Sequence, residues 1–342
     1  MNIDFDPKEN ITNSYKPIML FKKLINKIND LRVIHRIVNN WYDIVLFRTG
    51  LKRPRFVMQL RNGKKIEIKK PQDYFLFWES KEGEKALLKQ MELELVLKQF
   101  SLGSSVKVIE KKKVIEFKFG NKKLKFNYDS KKQLYWNTLG MIKEQFIGNQ
   151  YRWLNVKNRV VVDIGANIGD SAIYFDLKGA KHVYAFEPYP YSYDLAMRNI
   201  RLNGLQDKIT LLNEGCGEKN GKIRIKSSYK NLGSTDLKNF KNGTNIRITT
   251  LGELVKRFGI RDNAVLKIDC EGCEYGVLLK SQNSDLRRFK QILVEYHYGY
   301  LNIEKRLKDS GFKVTKTIPK YVVNSQAENK EMIVGLIYAL KI

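Results

Sequence analysis

Val160-Val161-Val162-Asp163-Ile164-Gly165-Ala166-Asn167-Ile168-Gly169-Asp170 decides the fold. Its first five residues read as a short buried strand, apolar except for Asp163. Gly165 and Gly169 follow, where the backbone has to turn tightly and approach a neighbour closely. A helical stretch begins at once. This is not the dinucleotide fingerprint Gly-x-Gly-x-x-Gly, because Asn167 stands where a second glycine would admit a pyrophosphate. Asp163 precedes the turn, and a carboxylate there repels phosphate and suits a ligand with a cationic end.

Working outward, the flanking sequence alternates apolar strands with helical stretches. Strands are expected at 159–164, 182–186, 209–213, 264–269 and 291–295, with helices at 169–178 and 191–203. The chain closes with two strands, 312–318 and 332–339, that have no helix between them. Such a series predicts an α/β fold, a doubly wound and mainly parallel seven-stranded sheet with a terminal antiparallel hairpin. Its ligand site belongs at the carboxyl ends of the strands. A second acid stands there: Phe186-Glu187-Pro188 ends the second strand, where a carboxylate can accept both hydroxyls of a ribose. S-adenosylmethionine, with its adenosine, α-ammonium and sulfonium, matches both acids.

The nonapeptide 162–170 resembles the first motif of class I S-adenosylmethionine-dependent methyltransferases, a Rossmann-like group, in the wording of the FkbM family. Matches follow in order at Phe186-Glu187-Pro188, Asn199-Ile200 with Asn203, Thr250-Leu251, Leu266 to Glu274, and Val294-Glu295-Tyr296-His297. They cover roughly 151–297. The resemblance implies that Asp163, Gly165, Asn167 and Gly169 line the methionine and ribose portion of the cofactor. It implies that Glu187 holds the ribose hydroxyls, and that Glu214, with Gly215-Cys216 where the family usually carries Ala, passes near the adenine. The family's acceptors point to O-methylation of a hydroxyl on a sugar, glycolipid or small metabolite.

Methyl transfer gains mostly from aligning the acceptor, and an alcohol also needs its proton removed as it attacks. Asp269 and Glu271 at the fourth strand and Glu295 and His297 at the fifth are the candidate catalytic residues. Asp269 or His297 would take the proton, and Glu271 and Glu295 would shape the acceptor site. A structural role for His297 is the plain alternative. The same four residues also suit a hard divalent cation such as Mg²⁺, although methyl transfer requires none and the site is read without one. Cys270 and Cys273 have Cys-x-x-Cys spacing, yet no second pair completes a zinc site. They are expected to be small buried side chains.

The 342 residues allow two domains. Residues 1–150 read as an accessory region, basic helices followed by β-type segments, and 151–342 as the methyltransferase domain. In the accessory region, 15–47 reads as a basic amphipathic helix, or two helices broken near Asn29-Asp30. It packs either on its own domain, on a second subunit or on a membrane surface. A hairpin is expected at 56–68 around Asn62-Gly63, a helix at 81–100, and strands at 106–109, 114–119 and 123–126.

Hydrophobic content of 43% excludes a mainly disordered chain. The charge of +27, from 63 Lys and Arg against 36 Asp and Glu, is spread through the chain and favours anionic partners. It supports a second reading, an RNA methyltransferase that tracks phosphates through its accessory region. A third is a non-enzymatic membrane-surface or scaffold protein on the same fold. Three cysteines imply no disulfide framework and a reducing compartment. Without an apolar leader or a membrane-length apolar run, the expectation is a cytoplasmic protein, free or peripheral at a membrane.

Overall fold

The computed structural model describes residues 35, 38–48, 51–53, 55–61, 63–70, 73, 107–128, 138–225, 243–323 and 331–342. They fall into two compact units, divided between residues 104 and 105.

The first unit contains helix α1 (Trp41–Arg48) and an antiparallel hairpin of β1 (Phe56–Gln59) and β2 (Lys65–Ile68). Alternation along β1 buries Phe56 and Met58, which join Val38, Ile44, Leu60 and Ile68 in a small core. The helix expected over 15–47 lies largely outside the described residues. Where it is described, it does not run through. Val38 bridges Leu60, Asn39 and Asn40 form a turn, and α1 starts only after them. Asn40 explains the break, because its side chain bonds the β1 backbone instead of facing solvent. Its Oδ1 accepts from the Gln59 N–H at 2.8 Å, and its Nδ2 donates to the Val57 carbonyl at 2.7 Å. The helix expected at 81–100 is outside the described residues.

The second unit opens with an antiparallel meander of β3 (Lys107–Ile109), β4 (Val114–Phe119) and β5 (Lys122–Asn127). A short π-helical segment follows at Lys143–Ile147. The alternating series then runs β6 (Val160–Ile164), α2 (Asp170–Leu177), β7 (His182–Phe186), α3 (Pro190–Leu202) and β8 (Ile209–Leu212). A side sheet comes next, made of β9 (Glu214–Cys216), β10 (Gly221–Ile225) and β11 (Thr244–Thr249). The chain continues through α4 (Leu251–Arg257), β12 (Ala264–Ile268), α5 (Cys273–Lys280), α6 (Asn283–Leu286) and β13 (Phe289–Tyr296). It ends with α7 (Leu301–Asp309), β14 (Phe312–Lys316), β15 (Lys320–Val323) and β16 (Glu331–Lys341).

Seven strands pair in the order β14-β16-β13-β12-β6-β7-β8, with β15 joined to β16. Pairing is parallel from β13 through β12, β6 and β7 to β8, and antiparallel at β16. This is the expected doubly wound sheet with its antiparallel end. Central β12 is buried along its whole length, as a strand covered on both faces must be. The side sheet and β15 were not expected.

The meander packs on the helices of the main sheet through Asn199 of α3 and Asn203 at its C-terminal cap. Asn203 accepts from the Lys125 N–H at 3.0 Å and donates to the Lys125 carbonyl at 2.8 Å. Asn199 accepts from the Asn127 N–H at 2.7 Å and donates to the Ile168 carbonyl at 2.8 Å, so one side chain ties the meander to the glycine turn. Phe117, Phe119 and Phe126 meet Phe146, and Phe119 and Phe146 contact Tyr174 of α2. Among the described residues no helix is long and apolar enough to cross a membrane.

Candidate active site

The sheet order reverses between β6 and β12, and the carboxyl ends of these two strands lie side by side. Open sheets bind ligands at such a point. Gly165 and Ala166 donate their N–H groups to the Phe186 carbonyl at 3.0 Å, and Asp269 N–H donates to the Ile164 carbonyl at 3.0 Å. Gly165 has φ +82°, and a Cβ there would fall 1.7 Å from the Asp269 carbonyl oxygen. Only glycine permits that approach.

Asn167 also adopts a left-handed conformation, φ 45°. Its N–H donates to Glu187 Oε2 at 2.9 Å, and the Tyr189 N–H donates to Oε1 at 2.9 Å. Glu187 is thereby fixed by one backbone donor per oxygen, which leaves further lone pairs for a ligand. Burial pushes its carboxyl up to about 7, against the opposing effect of those two donors.

A cleft of about 670 Å³ opens here, bounded among others by Gly165, Asn167, Glu187, Glu214 and Asp269. None of its lining residues is Lys or Arg. Asn167 Oδ1 is buried with no hydrogen-bond partner among the described residues. A cleft that offers acceptors and no cation fits the hydroxyls and ammonium of S-adenosylmethionine and does not fit a pyrophosphate.

Residues 163–314 match the family described as the methyltransferase FkbM domain. This chain carries an FkbM methyltransferase domain. Methyltransferase sdnD of Sordaria araneosa is 26% identical over 212 residues, covering 51% of this chain and 82% of that protein. The ribosomal protein L11 methyltransferase of Carboxydothermus hydrogenoformans is 43% identical over 54 residues, 16% of this chain and 18% of that protein. Among solved structures, M. capricolum TrmK in complex with S-adenosyl-homocysteine is 14% identical with a TM-score of 0.37, covering 57% of this chain and 68% of that one.

Within the methyltransferase domain, the expected cofactor residues divide into two groups. Gly165, Asn167, Glu187 and Glu214 border the cleft, and Arg257 at 2.7 Å and Thr249 at 3.1 Å hold Glu214 there. Asp163 and Gly169 lie behind it. Asp163 is fully buried, accepts from Ser171 Oγ at 2.6 Å and pairs with Lys267 Nζ at 3.0 Å. Gly169 precedes α2 and packs against Ala196. Both shape the turn rather than present an atom to the cleft.

A second cavity, about 590 Å³, shares Gly165, Asn167, Asp269 and Glu271 with the cleft. Glu144, Gln150, Tyr151, Asp170 and Glu295 line it further. Tyr151 donates to Asp269 Oδ2 at 3.1 Å, and Gln150 donates to Glu295 Oε2 at 2.5 Å. Burial, reinforced by the charge of Asp269, raises Glu295 well above the usual carboxyl range and raises Glu144 as well. Burial pushes Asp170 up to about 7.

The structure brings the four candidate catalytic residues together, three at the cavity rims and His297 buried behind them. Asp269 and Glu271 border both cavities, Glu295 borders the second, and His297 lies just behind Glu271, with its Nε2 3.1 Å from Glu271 Oε2. Burial alone would lower the His297 pKa, but Glu271 and Glu274 outweigh it and raise it well above the usual value. Lys267 is likewise pulled down by burial and held above its ordinary value by Asp163.

Three contributors were missed. Glu274, fully buried, accepts from the His297 ring, the His297 backbone and the Gly272 N–H. Lys267 neutralises Asp163, and a lysine inside an otherwise apolar strand was the available signal. Tyr151 carried none. The cysteines also differ from expectation. Cys270 and Cys273 form a disulfide, and both border the cleft instead of being buried. Glu271 at φ 58° and Gly272 at φ 118° fold the intervening turn so that the two Cα atoms lie 5.5 Å apart.

Proposed function

We propose that the domain methylates a hydroxyl of a sugar, glycolipid or other small metabolite. The observation that carries this reading is the junction of the two cavities at Gly165, Asn167, Asp269 and Glu271. Glu187 and Asn167 would hold S-adenosylmethionine in the cleft, which supplies an electrophilic methyl group when bound. The acceptor would occupy the second cavity.

The residues of that cavity then have distinct tasks. Asp269 borders both spaces and takes the proton from the acceptor hydroxyl. His297 stands behind Glu271 with its ring held by Glu274 at 2.9 Å, so it orients the rim and leaves proton removal to Asp269. Glu295, whose burial beside Asp269 favours the protonated form, would donate a hydrogen bond to the acceptor. Alignment by these groups supplies most of the rate gain available in a displacement at methyl.

The charge of +27 favours RNA as the alternative acceptor. The acid lining of the second cavity supports a neutral or cationic acceptor over a phosphodiester. Mass spectrometry of lipids, glycans and RNA from cells with and without the gene tests the choice. A glycan or lipid lighter by one CH₂ unit in the deletion strain is expected. A deficit confined to RNA overturns the proposal.

A further inference from the structure

His297, Glu271 and Asp269 converge with more acceptors than donors. One ligand atom from each lies within 4.8 Å of the other two. His297 Nε2 is 3.1 Å from Glu271 Oε2 and 3.9 Å from Asp269 Oδ1. On the far side of the ring, Nδ1 is 2.9 Å from Glu274 Oε1, a buried carboxylate outside this trio. Glu274 thus engages Nδ1 and leaves Nε2 turned toward the other two carboxylates. Nε2 and the two carboxylates face one another, an arrangement that a positive particle between them would hold together. That particle is a proton or a metal ion.

Three features favour a metal as the ligand of this geometry. An octahedral ion with donors at about 2.1 Å sets adjacent donors roughly 3 Å apart and opposite ones about 4.2 Å apart, which brackets the two distances from His297 Nε2, 3.1 and 3.9 Å. A neutral histidine with two carboxylates carries a charge of about −2, the complement of a divalent ion. The carboxylate behind Nδ1 is the usual support of a metal-bound histidine, since it fixes the tautomer and aims the ring.

A separate observation comes from the cavity beyond. Its lining adds Glu144, Asp170 and Glu295 to Asp269 and Glu271, and its one lining cation is Lys267. Lys267 Nζ is engaged by Asp163 at 3.0 Å and by the Gly165 carbonyl at 2.6 Å. The wall is therefore predominantly acidic, although Lys320 acts on one of its acids, Glu144.

We propose that Asp269, Glu271 and His297 bind one divalent cation of the Mg²⁺ or Mn²⁺ class at the junction of the two cavities. Its open positions face the second cavity and take the oxygen atoms of the acceptor. This acceptor role rests on the methyl-transfer reading; the binding of the ion does not. A metal-bound hydroxyl loses its proton more readily, which eases transfer to a neighbouring carboxylate. The acceptor class best matched is one with two adjacent oxygens able to chelate, such as a vicinal diol.

Electron paramagnetic resonance titration of the full chain with Mn²⁺, without cofactor, tests the site. One saturable Mn²⁺ per chain is expected, weakened at least tenfold by Asp269→Asn and by Glu271→Gln. Circular dichroism confirms that each variant is folded. Glu187→Gln, in the cofactor cleft, keeps the Mn²⁺ affinity while losing S-adenosylmethionine. Absence of saturable binding into the millimolar range, or equal binding by both site variants, overturns the proposal. Cofactor binding is titrated separately, so failure of the metal site and failure of the methyltransferase reading give different results.

Discussion

Glu187 allows the cofactor site to be tested through pH. It accepts one backbone N–H on each oxygen at 2.9 Å, yet burial still pushes its carboxyl up to about 7 from an ordinary 4.5. That gap corresponds to roughly 3 kcal/mol in favour of the neutral form. To accept two ribose hydroxyls the group has to be ionised. With a titration near 7, about a tenth is ionised at pH 6 and about nine tenths at pH 8. Affinity for S-adenosylhomocysteine, measured by calorimetry, should therefore rise about tenfold from pH 6 to pH 8 and then level off. Glu187→Gln should bind more weakly at every pH, with that rise removed. The sign for stability is opposite. A carboxyl raised by folding contributes stability below its ordinary value of 4.5, and that contribution is lost as pH rises through about 7. The ligand-free protein should accordingly lose thermal stability over this window, and the variant should lose less. An identical pH profile for binding in wild type and Glu187→Gln would refute the assignment of Glu187.

Other expectations follow from single contacts. Lys267→Met leaves Asp163 buried without its cation and should cost about 3–5 kcal/mol in urea unfolding, with partial recovery on adding Asp163→Asn. A loss below about 1 kcal/mol would mean that the pair is not formed. Gly165→Ala places a methyl 1.7 Å from a backbone oxygen at positive φ. It should abolish cofactor binding and lower stability by roughly 3 kcal/mol or more, read by calorimetry and thermal melting. Asp269→Asn should reduce kcat by about 10²–10⁴-fold while cofactor affinity changes little. Equal losses in both would make Asp269 a cofactor contact instead of the base.

How much of the site was legible follows from the range of each interaction. Gly165, Asn167 and Glu187 stood out because a strand, a tight turn and a strand-end acid are written in consecutive residues. Asp163 was legible as an acid but not in its role. Its partner, Lys267, lies 104 positions away and reaches it only because β6 and β12 pair in register. Glu274 and His297 are joined in the same way, through a helix start and a strand end that are distant in sequence. The break at Val38 to Asn40 was hidden by helical spacing, since Asn40 finds its partners on a strand that periodicity cannot see.

The sequence by itself determined the order of the main-sheet strands, the sharp turn at Gly165 and the presence of acids at two strand ends. Those features depend on neighbours a few residues apart, where spacing and side-chain size are decisive. Only the tertiary structure decided which acids face the cleft, which are neutralised behind it, and that a second, acid-walled cavity meets the first. Such outcomes depend on pairing between distant strands and on burial. Both arise only when the chain has folded and water has been excluded from the groups concerned.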